Sequence, residues 1–288
     1  MLTPQIIDTV VRAALAEDAP WGDLTSQLLL PAEATATAQL IAREPGVFSG
    51  GAVFAATMTA SDTSIATELL AEDGDAFETG AILATVTGPA RTLMQAERVA
   101  LNFVQRMSGI ATLTAAYVTR VAGTRARVVD TRKTTPGLRA FERHAVVSGG
   151  GHNHRFSLSD AVLVKDNHLA VLTAGGLSLT DALLGVRAQL SHTTHLEVEV
   201  DHLDQIEPVL AAGVDTIMLD NFSMEQLSEG VALIGGRALV EASGNVRLDT
   251  VAAIAATGVN FISVGALTHS VRALDLGLDV VIGVGIGL

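Results

Sequence analysis

The segment 128–168 contains the densest group of side chains in this sequence that could bind an anion. Lys133 and Lys165 are the two lysines of the chain, and each stands at the end of a short apolar run that predicts a buried strand. Because a buried ammonium is costly without a partner, we expect both lysines to be paired, and an anionic ligand is the partner we expect. Arg132 and Arg155 lie in the same segment. These residue types indicate the binding of a small polyanion.

The distribution of charge along the chain supports this interpretation more than the total does. The formal net charge is −13 over 288 residues, which argues against nucleic acid and against an anionic membrane as partners. Residues 91–165 nevertheless hold 12 of the 18 lysines and arginines. The acids of that segment are Glu97, Asp130, Glu142 and Asp160. This contrast favours a focused pocket for a small polyanion over a nucleic-acid surface.

Composition excludes several kinds of site. The chain contains no cysteine, so disulfides, thiolate catalysis and cysteine-ligated metals are excluded. The N-terminal stretch lacks the basic region and uninterrupted apolar core of a signal peptide, and we expect a cytoplasmic location. The apolar stretch 280–288 is too short and too rich in glycine to span a bilayer, so we expect a packing strand or a tail there.

Residues up to about 106 predict a first unit of mixed strands and helices. Proline at the first helical position indicates a helix start, and turn residues between apolar runs indicate the ends of strands. In order, the pattern predicts a helix after Thr3-Pro4 that stops at 17–20, a turn at 21–26, strands between 34 and 86 with turns at Gly74 and Gly80, and helices at 89–109 and 110–121.

After Gly123 the pattern changes to alternating strands and helices. Repeated units of this kind imply a parallel sheet, and six of them favour an α/β barrel over the alternative, an open doubly wound sheet. The predicted strands are 127–130, 161–165, 196–200, 215–219, 238–241 and 261–264. Helix-period segments in the gaps include 178–190, 202–212, 223–234 and 247–257.

Each predicted strand of this second part ends in polar or small residues. In α/β barrels the active site lies at the carboxyl ends of the strands, so these residues are expected to converge on a single site. They are Asp130 to Lys133, Lys165-Asp166, Glu199 to Asp201, Asp220-Asn221, Ser243-Gly244 and Gly265.

Arg132, Arg155 and Lys165 form the predicted anion clamp. For each arginine taken alone, pairing with a surface acid is the simpler interpretation. Three cations at strand ends beside glycine-rich loops favour a shared ligand, and the guanidinium fork suits a planar carboxylate. A clamp of this size implies a ligand with more than one anionic group.

The histidines of this segment have two interpretations. His152 and His154 form an H-x-H pair with His168 nearby, which could indicate a metal site. Such a pair is weak support for a metal without a third positioned carboxylate. The interpretation we favour is that His154 hydrogen-bonds a carboxylate of the ligand.

Glu199 and Asp220 end neighbouring predicted strands. They could simply neutralise the clamp, or they could hold Mg²⁺, which prefers one or two carboxylates together with phosphate oxygens and water. Glu197 alternates with Glu199 in LEVEV and shares its face, and Asp201 continues that face. The sequence leaves open which of these acids contacts the metal.

Two late turns, Ser243-Gly244-Asn245 and Gly265-Ala266, precede predicted helices. Backbone N–H groups at such turns can bind phosphate, although either turn alone could be a simple connection. Two neighbouring turns of this type favour a phosphate site. Arg98 lies on a predicted helix of the first unit, where a solvated helix face is the simplest interpretation.

These residues resemble those of the quinolinate phosphoribosyltransferase family. The resemblance covers nearly the whole chain, and DTRKT, NHR and KDNH at their spacing are highly specific. The stretches that carry it are 17–26, 96–112, DTRKTTPGLR at 130–139, NHRFSLSDAVLVKDNH at 153–168, 197–201, 218–222, 241–245 and 264–270.

The resemblance implies an N-terminal α/β sandwich, residues 1–108 joined by 274–288, and an incomplete parallel α/β barrel, residues 109–273, of the type II phosphoribosyltransferase kind. It implies transfer of phosphoribose from phosphoribosyl pyrophosphate to quinolinate with decarboxylation, in a homodimer whose active sites are shared between subunits. Quinolinate would be held by Arg132, His154, Arg155 and Lys165, with Arg98 of the neighbouring subunit and Thr131 in the binding set. Phosphoribosyl pyrophosphate and Mg²⁺ would engage Lys133, Glu199 and Asp220, with Lys165 completing the catalytic set. The 5′-phosphate would lie on Ser243, Gly244 and Asn245 and on Gly265 and Ala266, near His269.

Alternatives remain at this point. Asn245 stands where the family often has glycine, which leaves the details of that phosphate turn open. A paralogous nicotinate or ModD-like phosphoribosyltransferase has the same fold, but a nicotinate enzyme needs to hold one carboxylate only. A catalytically silent metabolite-binding protein would not require Lys133, Glu199 and Asp220.

Overall fold

The computed structural model describes residues 2–281. Its α-helices are α1 (Pro4–Asp18), α2 (Leu24–Leu29), α3 (Gly51–Ser61), α4 (Ala90–Val121), α5 (Arg139–Ser148), α6 (Asp166–Thr173), α7 (Leu179–Arg187), α8 (Ile206–Ala211), α9 (Met224–Ile234), α10 (Val251–Ala256) and α11 (Ala266–His269). A 3₁₀ turn covers Leu203–Gln205. The strands are β1 (Thr35–Ala42), β2 (Gly46–Val47), β3 (Ala66–Leu69), β4 (Ala76–Phe77), β5 (Ile82–Pro89), β6 (Arg127–Val129), β7 (Val162–Val164), β8 (Leu196–Val200), β9 (Thr216–Asp220), β10 (Leu239–Ser243), β11 (Phe261–Ser263) and β12 (Leu276–Val281).

The chain divides into two compact units. The described part of the first comprises residues 2–115, 134–150 and 270–281, and the second comprises Ala116–Lys133 and Gly151–His269. The segment 134–150, which contains α5, groups with the first unit, whereas the sequence-based boundaries placed it in the barrel. Within residues 2–281 no helix is both long enough and apolar enough to cross a bilayer.

The first unit is built on an antiparallel sheet in the order β12-β1-β5-β3. In β1 every second residue is buried, which gives one face to the core, as expected of a strand with one covered face. The C-terminal strand β12 pairs with β1 from Thr37↔Val281 to Ala42↔Leu276. The packing strand expected at 280–288 is therefore present for Val280 and Val281, and residues 282–288 lie outside the described residues.

The second unit contains six parallel strands in the order β6-β11-β10-β9-β8-β7. All five residues of β8 are buried, as expected of a central parallel strand covered on both faces. An isolated parallel bridge pairs Val129, the last residue of β6, with His152. Because β6 and β7 form the two ends of this sheet order, the described strands make an incomplete barrel, and the predicted α/β class is confirmed.

Three sequence predictions about local structure are wrong, and two helices were missed. The turn at 21–26 leads directly into α2, because the Asp23 carboxylate accepts hydrogen bonds from Thr25 N and Ser26 N. The strand-like range 34–86 contains α3, whose nearly all-apolar sequence gives no helical period. The helices expected at 89–109 and 110–121 are the single helix α4, which runs through Gly109. Helices α5 and α6 were not predicted.

Candidate active site

A pocket of about 530 Å³ opens at the carboxyl ends of the parallel strands of the second unit. Its lining combines cations, carboxylates and small residues from successive strand ends. The lining residues are Thr131, Arg132, Lys133, His154, Arg155, Leu163, Lys165, Glu199, Met218, Asp220, Asn221, Ser243, Gly244, Asn245 and Ser263. The structure thus brings the three residues of the anion clamp, and the two carboxylates proposed for Mg²⁺, to one cavity.

The two arginines of the clamp lie close enough to influence each other. Burial and the neighbouring charge of Arg132 lower the pKa of Arg155. Arg155 Nη1 donates to Ala161 O at 2.9 Å, which holds its guanidinium against the start of β7. Like charges at one pocket wall repel each other, so an anionic ligand between them is stabilised more than one at an isolated arginine.

The exposure of Lys165 and its ion-pair partner both differ from the sequence prediction. The side chain is 47% exposed, and its Nζ lies 2.5 Å from Glu199 Oε2. Lys133 is also exposed. The prediction of buried lysines is therefore wrong, because both lie beyond the ends of their strands: Lys133 follows β6 after three intervening residues, and Lys165 directly follows β7. In this structure the partner of Lys165 is a carboxylate of the protein.

Glu199 and Asp220 line the pocket from the neighbouring strands β8 and β9. Glu199 is 7% exposed, and Asp220 Oδ2 accepts a hydrogen bond from Asn221 Nδ2 at 2.6 Å. Two carboxylates facing an open cavity are hard oxygen donors that leave room for phosphate oxygens and water. This donor set fits Mg²⁺ delivered with a diphosphate.

Beneath the pocket lies a buried cluster formed by His154, Glu197 and Glu241. His154 Nε2 is 3.1 Å from Glu197 Oε2 and 3.5 Å from Glu241 Oε2, and Ser263 Oγ donates to Glu241. The two glutamates are 4% and 3% exposed. Buried charges require partners of this kind, so the cluster is a fixed part of the floor of the pocket.

The cluster retains a proton at neutral pH. Arg155 N–H donates to His154 Nδ1 at 2.7 Å, so the ring proton is on Nε2, facing the glutamates. Burial opposes charge on the ring, but hydrogen bonds to Glu197 and Glu241 outweigh it and raise the pKa of His154 to about 10. Burial and the charge of Glu241 also raise the pKa of Glu197. Because a fully cationic ring would break the contact with Arg155 N–H, we assign the proton to the cluster as a whole.

This arrangement changes the expected role of His154. Both ring nitrogens contact the protein, whereas the sequence-based interpretation was a hydrogen bond to the ligand. The backbone N–H of His154 in turn donates to Asp130 Oδ1 at 2.8 Å. The His154 ring, fixed by these contacts, therefore forms part of the pocket wall. The cations of the clamp line the same cavity.

The turn after β10 has the backbone expected of an anion-binding turn. Gly244 and Asn245 have φ values of +91° and +50°, and Asn221 on the neighbouring strand end has +57°. The helix that follows, α10, begins only at Val251, later than the predicted start at 247, so it does not directly follow the turn. Phosphate binding there would depend on the backbone N–H groups of the turn.

The second predicted phosphate turn is less regular. A Cβ added at Gly265 would lie 3.0 Å from His269 Nε2 and 3.2 Å from Lys133 Cδ, so this glycine lets both side chains approach. Ala266 begins α11, a helix of four residues. Gly265, Ala266 and His269 do not line the main pocket but adjoin it through Lys133.

Three other predicted residues lie elsewhere. Arg98 is exposed on α4 in the first unit. His152 is exposed. His168 Nδ1 accepts from Lys165 N at 2.9 Å and so caps α6. The H-x-H pair does not converge on one point, because only His154 faces the buried cluster.

Sequence reasoning missed the supports of the site: Asp130, Glu241 and Ser263. Asp130 was counted only as a polar strand end, and Glu241 only as part of a motif. A glutamate inside an apolar strand, as in LEVEV and LVEAS, was the available signal, since a buried carboxylate needs a partner.

A parallel α/β sheet with cations and carboxylates around one cavity defines an anion-binding α/β protein of the kind that acts at strand ends. Comparison with known proteins makes this specific. Residues 23–108 match the quinolinate phosphoribosyl transferase N-terminal domain, and residues 110–279 match the C-terminal domain.

Relatives support the same assignment over nearly the full length. The chain is 45% identical to the nicotinate-nucleotide pyrophosphorylase [carboxylating] of Mycobacterium leprae, over 93% of this chain and 95% of that protein. It is 40% identical to the probable enzyme of that name from Bacillus subtilis, over 92% and 90%. The crystal structure of NadC from Streptococcus pyogenes superposes with a TM-score of 0.91 at 42% identity, covering 96% and 98%. The chain belongs to the quinolinate phosphoribosyltransferase family.

Proposed function

We propose that this protein transfers the phosphoribosyl group of phosphoribosyl pyrophosphate to the ring nitrogen of quinolinate, with loss of the 2-carboxylate. The products are nicotinate mononucleotide, pyrophosphate and CO₂, which places the reaction in NAD biosynthesis. The observation that carries this proposal is the convergence of Arg132, Arg155 and Lys165 on the cavity that Glu199 and Asp220 also line. Family membership supports it independently.

Quinolinate has two adjacent carboxylates, and the clamp offers three cations to receive them. Arg132 and Arg155 can each donate paired hydrogen bonds, and Lys165 adds a point charge. Lys165 must leave Glu199 to contact the substrate. Thr131 and the His154 ring also line the pocket beside the clamp.

Phosphoribosyl pyrophosphate would bind at the carboxylates and the late turn that line the same pocket. Glu199 and Asp220 would hold Mg²⁺, and Lys133 would contact the phosphates. Bound Mg²⁺ supplies positive charge that stabilises the departing pyrophosphate. The turn at Ser243, Gly244 and Asn245 would receive the 5′-phosphate, with Gly265, Ala266 and His269 beside it.

The reaction needs no covalent nucleophile from the protein. The ring nitrogen forms a bond to the anomeric carbon while the bond to pyrophosphate breaks, and Glu199 and Asp220 can stabilise the positive charge that develops on the sugar. The ribosylated ring is cationic, so it accepts the electron pair released by loss of CO₂, and a proton then takes the vacated position. The work of the pocket is therefore positioning and electrostatics.

We further propose that the protein acts as a homodimer in which Arg98 of one subunit completes the clamp of the other. Support comes from the exposure of Arg98 on α4 and from the family resemblance. A cation that serves another chain must be exposed on its own.

Incubation of the purified protein with Mg²⁺, quinolinate and phosphoribosyl pyrophosphate tests the proposal. We expect stoichiometric CO₂, pyrophosphate and nicotinate mononucleotide, measured with carboxyl-labelled quinolinate and by chromatography. Ligand binding without CO₂ release would instead indicate a metabolite-binding protein and would contradict the proposal.

A further inference from the structure

A chain of side-chain hydrogen bonds connects the turn after β10 with the carboxylate at the end of β9. Asn245 Nδ2 donates to Asn221 Oδ1 at 3.1 Å. Asn221 Nδ2 donates to Asp220 Oδ2 at 2.6 Å. The two amides therefore link the turn proposed for the 5′-phosphate to a carboxylate proposed for Mg²⁺.

The backbone holds the two asparagines in register. The strands β9 and β10 pair in parallel with Ser243 opposite Asp220, and Asn221 N donates to Ser243 O at 3.0 Å. Both asparagines have positive φ, a conformation that asparagine tolerates better than most residues. The local fold thus places the two asparagines within hydrogen-bonding reach of each other.

Gly244 lets the two turns approach each other. A Cβ at this position would lie 2.2 Å from Asn221 Oδ1 and 2.9 Å from Asn221 N. Because both atoms belong to Asn221, glycine at position 244 is needed for Asn221 to occupy its place. The close approach, the register and the two amide contacts form one connected unit.

We infer that Asn221 and Asn245 are positioning residues that fix the Asp220 carboxylate relative to the phosphate turn, so that the diphosphate end and the 5′-phosphate end of one ligand are bound together. Asn245 acts through Asn221. A glycine at position 245 would satisfy φ equally well, so the contribution of asparagine lies in its amide donor. The inference rests on the proposed function, since it concerns how phosphoribosyl pyrophosphate is held.

The expected effect is modest and selective. A neutral hydrogen bond at a partly exposed site corresponds to about a 3- to 10-fold change in affinity. That change should appear in the binding of phosphoribosyl pyrophosphate with Mg²⁺, because this ligand spans both turns. Quinolinate contacts neither asparagine in the proposed arrangement, so its KM provides an internal control.

The test uses Asn245→Gly, Asn221→Gly and the double variant in the full-length protein. Glycine preserves the positive φ at both positions, so the turns keep their backbone while the amides are removed. Thermal midpoints verify folding. Calorimetry with phosphoribosyl pyrophosphate and Mg²⁺ gives the dissociation constant, and steady-state kinetics gives KM for each substrate.

We expect Asn245→Gly to weaken binding of phosphoribosyl pyrophosphate about 3- to 10-fold with little change in the KM for quinolinate. Asn221→Gly should weaken it at least as much, and the double variant should match Asn221→Gly alone, because Asn245 acts through Asn221. Effects of the two substitutions that simply multiply, an equal rise in the quinolinate KM, or unchanged binding in Asn245→Gly would each overturn the inference. Failure of the wild-type protein to bind phosphoribosyl pyrophosphate would overturn the proposed function, and the inference with it.

Discussion

Lys165 Nζ lies 2.5 Å from Glu199 Oε2, across the neighbouring strands β7 and β8. One partner is a cation proposed for quinolinate and the other a carboxylate proposed for Mg²⁺. The ion pair therefore neutralises two ligand-binding groups before either substrate arrives. In the proposed arrangement, binding of both substrates would exchange this pair for two new ones and would couple the two binding sites.

Replacement of Lys165 with alanine should impair quinolinate binding. The substitution removes one cation from the clamp and leaves the nearly buried Glu199 without its partner, which adds repulsion toward the carboxylates of the substrate. Since hydrogen bonds to charged groups contribute about 1.5–3 kcal/mol, KM for quinolinate should rise roughly 10- to 100-fold. Arg12→Ala, which breaks an exposed ion pair on α1, is the control. An unchanged KM in Lys165→Ala would remove this residue from the clamp.

Mixing two variants that are each impaired at low quinolinate concentration tests the shared active site. Arg98→Ala and Lys165→Ala chains each lack one member of the proposed site, so a mixed dimer should contain one intact site. We expect up to about a quarter of wild-type activity per chain after subunit exchange, on the statistics of random pairing with one intact site per mixed dimer. Size-exclusion chromatography of tagged and untagged chains verifies the exchange. No recovery after verified exchange would count against a site completed by Arg98.

The buried cluster under the pocket predicts a loss of stability at high pH. Burial opposes charge on His154, but hydrogen bonds to Glu197 and Glu241 raise its pKa from 6.5 to about 10. The contribution of the proton shared by this cluster is therefore complete below about pH 6.5 and is lost as pH rises toward 10. Each tenfold change in proton affinity corresponds to roughly 1.4 kcal/mol, so the loss is on the order of a few kcal/mol. The free energy of unfolding of wild type and of His154→Gln, measured by urea denaturation, should therefore converge between these pH values.

The exposed His192 offers a matched control for that comparison. His192→Gln should differ from wild type by a small and constant amount across the range. A constant difference for His154→Gln as well would show that the cluster does not hold its proton more tightly in the folded protein.

The lowered pKa of Asp73 predicts a loss of stability at low pH. Burial acts to raise the pKa of Asp73, but hydrogen bonds from His144 Nε2 and from the backbone N–H of Gly51 and Gly50 lower it overall. Its contribution to stability is present above about pH 4 and is lost as pH falls through the lowered pKa. Asp73→Asn should cost about 1–2 kcal/mol at pH 7, because the amide weakens these bonds at the start of α3. The thermal midpoints of variant and wild type should approach each other at pH 3, whereas Asp8→Asn, in an exposed pair, should have little effect at pH 7. A gap that persists undiminished at pH 3 would contradict this account of Asp73.

The parallel sheet was predictable because apolar strands buried on both faces alternate with helices, and each strand ends in polar residues. The helix α3 was not, because a helix covered on most sides has no amphipathic period. The continuity of α4 was missed for a different reason. The sequence pattern suggested that a helix ends at Gly109. A Cβ at this position would lie 2.2 Å from Arg272 O, so the glycine instead allows close packing within a continuous helix.

Some features of the site could be predicted from the sequence and others could not. The identities of Arg132, Arg155 and Lys165 indicated an anion pocket, and the strand ends brought them to one cavity. The pairing of Lys165 with Glu199 and the engagement of both His154 nitrogens could not be predicted, since they depend on the register of neighbouring strands and on buried glutamates several strands apart in sequence.

Recognition of two adjacent carboxylates by the clamp can be measured as selectivity for quinolinate over nicotinate. The ratio of kcat/KM for quinolinate to that for nicotinate, both with phosphoribosyl pyrophosphate and Mg²⁺, should exceed about 100, because nicotinate leaves part of the clamp without a partner. Arg132→Ala and Arg155→Ala should each lower that ratio by roughly 10- to 100-fold. Comparable efficiency with nicotinate in the wild-type protein would contradict the account.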